Sequence, residues 1–155
     1  MIREATDTDF AALVAGLAPD GLDLPGGPIE SSEALGMLRE LAQGIRPDFS
    51  PASWLIIDGS EIVGLCSLVK PPAGSAIEIG YGIAVNRRAR GFASAGVAAI
   101  LAWARQDERV AVVKAECGID NPASQKVLER NGFAQVGQRI DPEDGPVICW
   151  ETTAS

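Results

Sequence analysis

Residues 77–85 read Ile-Glu-Ile-Gly-Tyr-Gly-Ile-Ala-Val, and Asn86-Arg87 leads straight into Arg88-Ala89-Arg90-Gly91-Phe92-Ala93-Ser94. Alternate side chains of a strand point to opposite faces. Ile77, Ile79, Tyr81, Ile83 and Val85 would share one apolar face, and Glu78, Gly80, Gly82 and Ala84 the other. The first face reads as core, Tyr81 included. The second is nearly bare backbone carrying one carboxylate. Glycine weakens a strand interior, so two in alternation suggest a bulge or a ligand lying against the main chain. The plain alternative is a strand beside a bulky neighbour, with Glu78 in solvent.

The segment from Arg88 to Ser94 opens a helix expected over 91–106, with Ala93, Val97, Ile100, Leu101 and Ala104 as its apolar positions. A helix N-terminus presents unpaired N–H groups and the positive end of a dipole. It binds phosphate well where small residues let the backbone come close. Gly91 and Ala93 are small, and the arginines add forked donors. The alternative is a capped surface helix with a basic lead-in.

Downstream, a strand is expected at 110–119 and a helix at 121–130. Asn121 would be its N-cap, Pro122 its first residue, and Gly132 its stop. Strands at 133–140 and 147–152 follow, around a turn at 141–146. Upstream, residues 1–6 read as a strand. Asp7 or Thr8 would cap a helix with Phe10, Leu13, Val14 and Leu17 on one face. Residues 19–29 form an irregular loop. Ser31 or Ser32 opens a second helix that Gly44 and Pro47 end, with Ala34, Leu35, Leu38, Leu41 and Ala42 as its stripe. Strands at 53–57 and 61–69 join through Asp58-Gly59-Ser60. Hairpin strands followed by strand–helix–strand imply an α/β fold with a mixed sheet and helices on its faces.

The 155 residues fit one domain spanning 1–155, and an apolar fraction of 46% can fill its core. There is no histidine, which removes Ser-His-Asp and Cys-His catalysis and His-ligated zinc. No metal is expected. Cys66, Cys117 and Cys149 are scattered and read as buried thiols. Net charge is −8, a poor match for nucleic acid. No apolar run is long enough for a membrane span, and the start lacks the pattern of a secretory signal, so the cytoplasm is the default compartment. The charge is uneven. Residues 4–38 hold seven acidic side chains and no Lys or Arg, whereas Arg87, Arg88 and Arg90 crowd together. A small anionic ligand would suit the arginines, and a cationic second ligand the acidic half. A solvated, solubilising surface is the bland alternative for that half.

Arg88-Ala89-Arg90-Gly91-Phe92-Ala93 resembles Arg/Gln-x-x-Gly-x-Gly/Ala, the pyrophosphate loop of the GNAT superfamily of N-acetyltransferases. Glu78-Ile-Gly-Tyr-Gly-Ile-Ala-Val resembles the family's fourth strand. Asn121-Pro-Ala-Ser124, followed by Val127-Leu128-Glu129-Arg130-Asn131-Gly132-Phe133, looks like its second coenzyme motif. The wording is most similar to the RimJ/RimL-like branch, which acetylates ribosomal-protein N-termini and some antibiotics. The resemblance implies a GNAT fold: a twisted, mostly antiparallel mixed sheet of about six to seven strands, flanked by about four helices. It also implies an acyl-CoA N-acyltransferase whose cosubstrate is acetyl-CoA.

By the same resemblance, acetyl-CoA lies between the splayed ends of the strands at 76–85 and 110–119. Backbone groups of Ile83, Ala84 and Val85 pair with the pantetheine. Arg88, Ala89, Arg90, Gly91, Phe92, Ala93 and Ser94 hold the pyrophosphate, and Asn121 bonds the pantetheine amide. A backbone N–H of the 76–85 strand polarises the thioester carbonyl. Glu78 is the implied general base, directly or through water. The family's usual acid, a tyrosine, falls at Leu128, so Ser124 or water protonates the thiolate. The acceptor is a small-molecule or peptide amine, cationic if the acidity of 19–50 shapes its pocket. A homodimer follows by analogy. Trp54, Trp103 and Trp150 read as core or interface anchors.

Two rival readings stand beside this one. A non-catalytic coenzyme A-binding regulatory module would keep the 88–94 loop and dispense with Glu78. A dinucleotide-binding oxidoreductase would use Gly91-x-Ala93-x-x-Gly96, with Glu116 on the ribose.

Overall fold

A computed structural model describes residues 1–154. In chain order it places β1 (Ile2–Glu4), α1 (Asp7–Val14), α2 (Ser32–Ile45), β2 (Ser53–Asp58), β3 (Glu61–Leu68), β4 (Ala76–Ile83), α3 (Phe92–Arg105), β5 (Val112–Gly118), α4 (Pro122–Arg130), β6 (Ala134–Asp141) and β7 (Gly145–Thr153). The expected order of elements holds. Among the described residues the strands form one seven-stranded sheet, ordered β1-β2-β3-β4-β5-β7-β6, and four α-helices flank it.

Every strand pair is antiparallel except β4 with β5. That parallel pairing runs only from Ala76↔Val112 to Ile79↔Ala115. Beyond it the two strands part, while β4 stays in register with β3 up to Gly64↔Ile83. A single parallel pair also removes the dinucleotide reading, which needs successive βαβ units.

The alternation anticipated for β4 is present. Ile77, Ile79 and Ile83 are buried, on the sheet face that α3 covers with Val97, Ile100, Leu101 and Ala104. Gly96 lets α3 approach β2, since a Cβ there would stand 2.8 Å from Ile56. Trp103 of α3 stacks edge-on against Trp54 of β2 at 5.0 Å between centroids. Trp54 and Trp150 are buried, as a core reading expects. The other sheet face is covered by α1 and α2, with Leu55, Val63 and Leu65 beneath them.

Several local readings are corrected. Thr6, not Asp7 or Thr8, caps α1: its hydroxyl accepts from the Asp9 N–H, and Asp9 accepts from the Thr6 N–H. This capping box satisfies two groups at once, so it outcompetes the later candidates. Leu17 lies past the helix end and is exposed. Gly44 does not end α2, which runs to Ile45 because Ile45 buries into the core. β4 ends at Ile83, and Val85 begins a 3₁₀ turn with its side chain 74% exposed. No bulge interrupts β4 against β3; the register shifts fall in the β2–β3 and β6–β7 pairs. Cys66 and Cys117 are buried free thiols, but Cys149 is only half-buried.

Candidate active site

Two cavities flank the place where β4 and β5 part. The first, of about 730 Å³, lies between the lead-in of α3 and the start of α4. Its walls include Tyr81, Gly82, Ile83, Arg88, Ala89, Gly91, Phe92, Ala93, Ser94, Asn121 and Ser124. Most of the residues singled out in the sequence are thus brought together. The chain reaches α3 through two left-handed residues, Ala89 at φ 62° and Gly91 at φ 81°. Such turns direct successive N–H groups into one concavity. A non-glycine residue held there stores strain of about 1–3 kcal/mol, a recurrent feature of ligand clamps.

Three expected contributors are placed differently. Ala84 is buried, and its N–H donates to the Val63 carbonyl while its own carbonyl accepts from Arg87. In an antiparallel ladder the main-chain groups of alternate residues point the same way. Even-numbered residues of β4 therefore serve β3, and Tyr81 and Ile83 direct theirs toward the gap. Val85 lies outside the strand, and Arg90 is exposed and does not wall the cavity. Arg87 belongs to a different interaction, a forked pair with Glu61 at 2.6 and 3.2 Å. Arg88 donates from Nε to the Ile83 carbonyl at 3.2 Å, which anchors it at the end of β4. Asn131, after α4, donates to both the carbonyl and the hydroxyl of Ser94, at 3.2 and 3.3 Å.

Tyr81 packs half-buried against the core, as alternation expects, and also takes a place at the cavity that alternation does not indicate. It does face α3 and α4, but its hydroxyl reaches Ser124 Oγ at 2.7 Å and walls the cavity. Burial pushes its phenol up to about 12. Asn121 caps α4 as expected, its Oδ1 accepting from the Ser124 N–H at 3.2 Å. Leu128 is 0% exposed, packs in the core and does not wall the cavity.

The second cavity, of about 660 Å³, opens on the opposite side, where Glu78 points. Val69, Lys70, Ile79 and Gly80 wall it with Glu78, and Glu116, Arg139, Asp141, Glu143 and Asp144 complete it. Glu78 is 14% exposed in its side chain and lies 3.5 Å from Lys70 Nζ. Glu116 takes a forked pair from Arg139 at 2.6 Å on both arms, which holds its carboxyl below the usual range. Residues 19–50 wall neither cavity, contrary to expectation. Ahead of them the acidity of the N-terminal stretch is partly neutralised: Asp7 takes a forked pair from Arg39, and Asp9 meets Arg3 at 3.4 Å. The carboxylates that face a cavity come from β4, β5, the end of β6 and the β6–β7 turn. Sequence reading could not have gathered them, because the strands become neighbours only through the sheet order.

A family profile described as acetyltransferase (GNAT) domain matches residues 1–134. An uncharacterized N-acetyltransferase, YjdG of Bacillus subtilis (strain 168), is 36% identical over 84 residues. That match covers 52% of this chain and 50% of the relative, so the chain is matched over about half that protein's length. Among solved structures, RimL, a ribosomal L7/L12 alpha-N-protein acetyltransferase in complex with coenzyme A, superposes with a TM-score of 0.71. It is 23% identical, covering 98% of this chain and 92% of that one. AAC(6')-Ib in complex with parmomycin and acetylCoA gives 0.70 at 17% identity, covering 99% and 92%. A spermidine N-acetyltransferase SpeG chimera from Vibrio cholerae and hSSAT gives 0.70 at 19%, covering 99% and 95%. At these identities the likenesses speak to the fold.

Proposed function

The chain belongs to the GNAT acetyltransferase family, and from that premise we propose that it moves the acetyl group of acetyl-CoA onto a cationic primary amine by direct attack. One observation carries the reading. Gly80 walls the acidic cavity, and Tyr81, the next residue of β4, walls the basic one. An anionic thioester and a cationic amine can therefore meet across one strand, where its partner β5 has turned away.

The first cavity suits the coenzyme. Arg88 and the N–H groups from Gly91 to Ser94 hold the diphosphate. Main-chain groups of Tyr81 and Ile83, directed at the gap, pair with the pantetheine as an added strand would. The Tyr81 N–H is the donor that polarises the thioester carbonyl. Asn121 uses Oδ1 for its cap and keeps its amide N–H for the pantetheine.

The second cavity suits the acceptor, with five carboxylates against Lys70 and Arg139. The amine must lose a proton to attack. A lysine-like amine is neutral about once in 2,500 molecules at pH 7, an α-amine about once in ten. Glu78 takes that proton, directly or through a water. The neutral amine then forms the C–N bond, its nitrogen releases its second proton to water as the C–S bond breaks, and Ser124, held by Tyr81, gives its proton to the sulfur. Ser124 regains a proton through Tyr81 and solvent.

The test is thiol release from acetyl-CoA with a panel of α-amino peptides, polyamines and aminoglycosides, comparing wild type with Glu78→Gln. Turnover with cationic amines, falling by about 10²-fold or more in the variant at neutral pH, is the expected result. Coenzyme binding with no turnover of any amine would leave a binding module instead. No affinity for coenzyme A would overturn the reading.

A further inference from the structure

In a chain of net charge −8, the 730 Å³ cavity has no Asp or Glu in its wall. It does have two further cations, Lys126 and Arg130 of α4. They are four residues apart and so project from one helix face. Neither has an ion-pair partner among the described residues. Their helix is fastened beside the first turn of α3, because Asn131, adjacent to Arg130, donates to the Ser94 carbonyl and hydroxyl. Two sources of positive charge thus face one cavity: the α3 lead-in with Arg88, and this pair on α4.

A diphosphate occupies only the first of these. We infer that Lys126 and Arg130 form a second anion subsite that takes the 3′-phosphate of the coenzyme ribose, so that the protein selects the 3′-phosphorylated coenzyme over its dephosphorylated form. The inference rests on the coenzyme reading above. Arg87 does not compete for this role, because Glu61 already occupies its guanidinium. Both α4 side chains are exposed, so their removal leaves the core untouched.

The experiment is calorimetry of the full chain with coenzyme A and with 3′-dephospho-coenzyme A. Wild type should prefer coenzyme A by about tenfold, the scale of two partly exposed charge pairs. Added salt should narrow that preference. Lys126→Ala with Arg130→Ala should bring the ratio close to one, whereas Lys126→Arg with Arg130→Lys should keep it. Arg88→Ala should weaken both ligands alike. Equal affinity of wild type for the two ligands, or an undiminished preference in the double alanine variant, overturns this inference alone. Binding of neither ligand overturns the coenzyme reading with it.

Discussion

The Tyr81 hydroxyl stands 2.7 Å from the Ser124 hydroxyl, joining β4 to α4 at the mouth of the split between β4 and β5. The contact brings together a strand residue and a helix residue 43 positions apart. Both side chains wall the first cavity, so the contact sets a pair of hydroxyls on its surface.

Ser124→Ala should lower kcat by about 10²-fold, the lower end of general acid catalysis, with little change in KM for acetyl-CoA. Tyr81→Phe removes only the oxygen that holds Ser124, so its loss in kcat should be smaller and in the same direction. Steady-state kinetics at saturating amine reads both. Equal KM rises with kcat intact would mean that the pair binds coenzyme without assisting departure.

Tyr81 is the chain's single tyrosine, so tyrosinate absorbance reports it alone. Its midpoint should be near 12 in the native protein and about 10 in denaturant. The native state then binds more protons between those values. Stability from the buried phenol is present below about pH 10 and falls as pH rises toward 12. A native midpoint near 10 would show the ring in solvent.

Leu128→Tyr should not restore the family's usual acid. The side chain at 128 is fully buried, so added bulk strains the core by about 1–3 kcal/mol. Chemical denaturation should show a lower midpoint, and thiol release should not rise above wild type.

Gly64→Ala should destabilise by about 1–3 kcal/mol and weaken coenzyme binding together. An added Cβ would collide with the Gly82 carbonyl and with Ile83, at the end of β4 that walls the cavity. A fully stable variant with normal affinity would show that this end of β4 yields freely.

On the acid side, the Arg39 guanidinium holds the Asp7 carboxyl well below the usual carboxylate range. A lowered native value means stability present above that range and lost as pH falls through it. Arg39→Met should flatten that loss, read as denaturation midpoints from neutral pH downward.

The sequence was most legible where a pattern is local. The two-residue alternation of Ile77 to Ile83, the Asn121 cap and the glycine at 91 each state their own conformation. Legibility failed where partners come from afar. Tyr81 looked like core because alternation assigns a face and says nothing of the helix above it. Arg87 looked like a phosphate ligand until Glu61, a neighbour through β3, claimed it. Arg139 and Glu116 lie on different strands and meet because β7 inserts between β5 and β6 in sequence-skipping order. Lys126 falls between the motif residues and Arg130 within them carries no role of its own; the Asn131 clasp sets both beside the α3 turn.

Residues 78–80 of β4 wall one cavity and residues 81–83 the other, so the strand changes compartment between Gly80 and Tyr81. A one-residue insertion between Glu78 and Gly82 would send every downstream side chain to the opposite sheet face and shift the point at which the strand changes compartment. Substitutions, by contrast, can alter the wall of one cavity while leaving the other alone. Divergence of this strand should therefore proceed by exchange of residues and hardly ever by change of length.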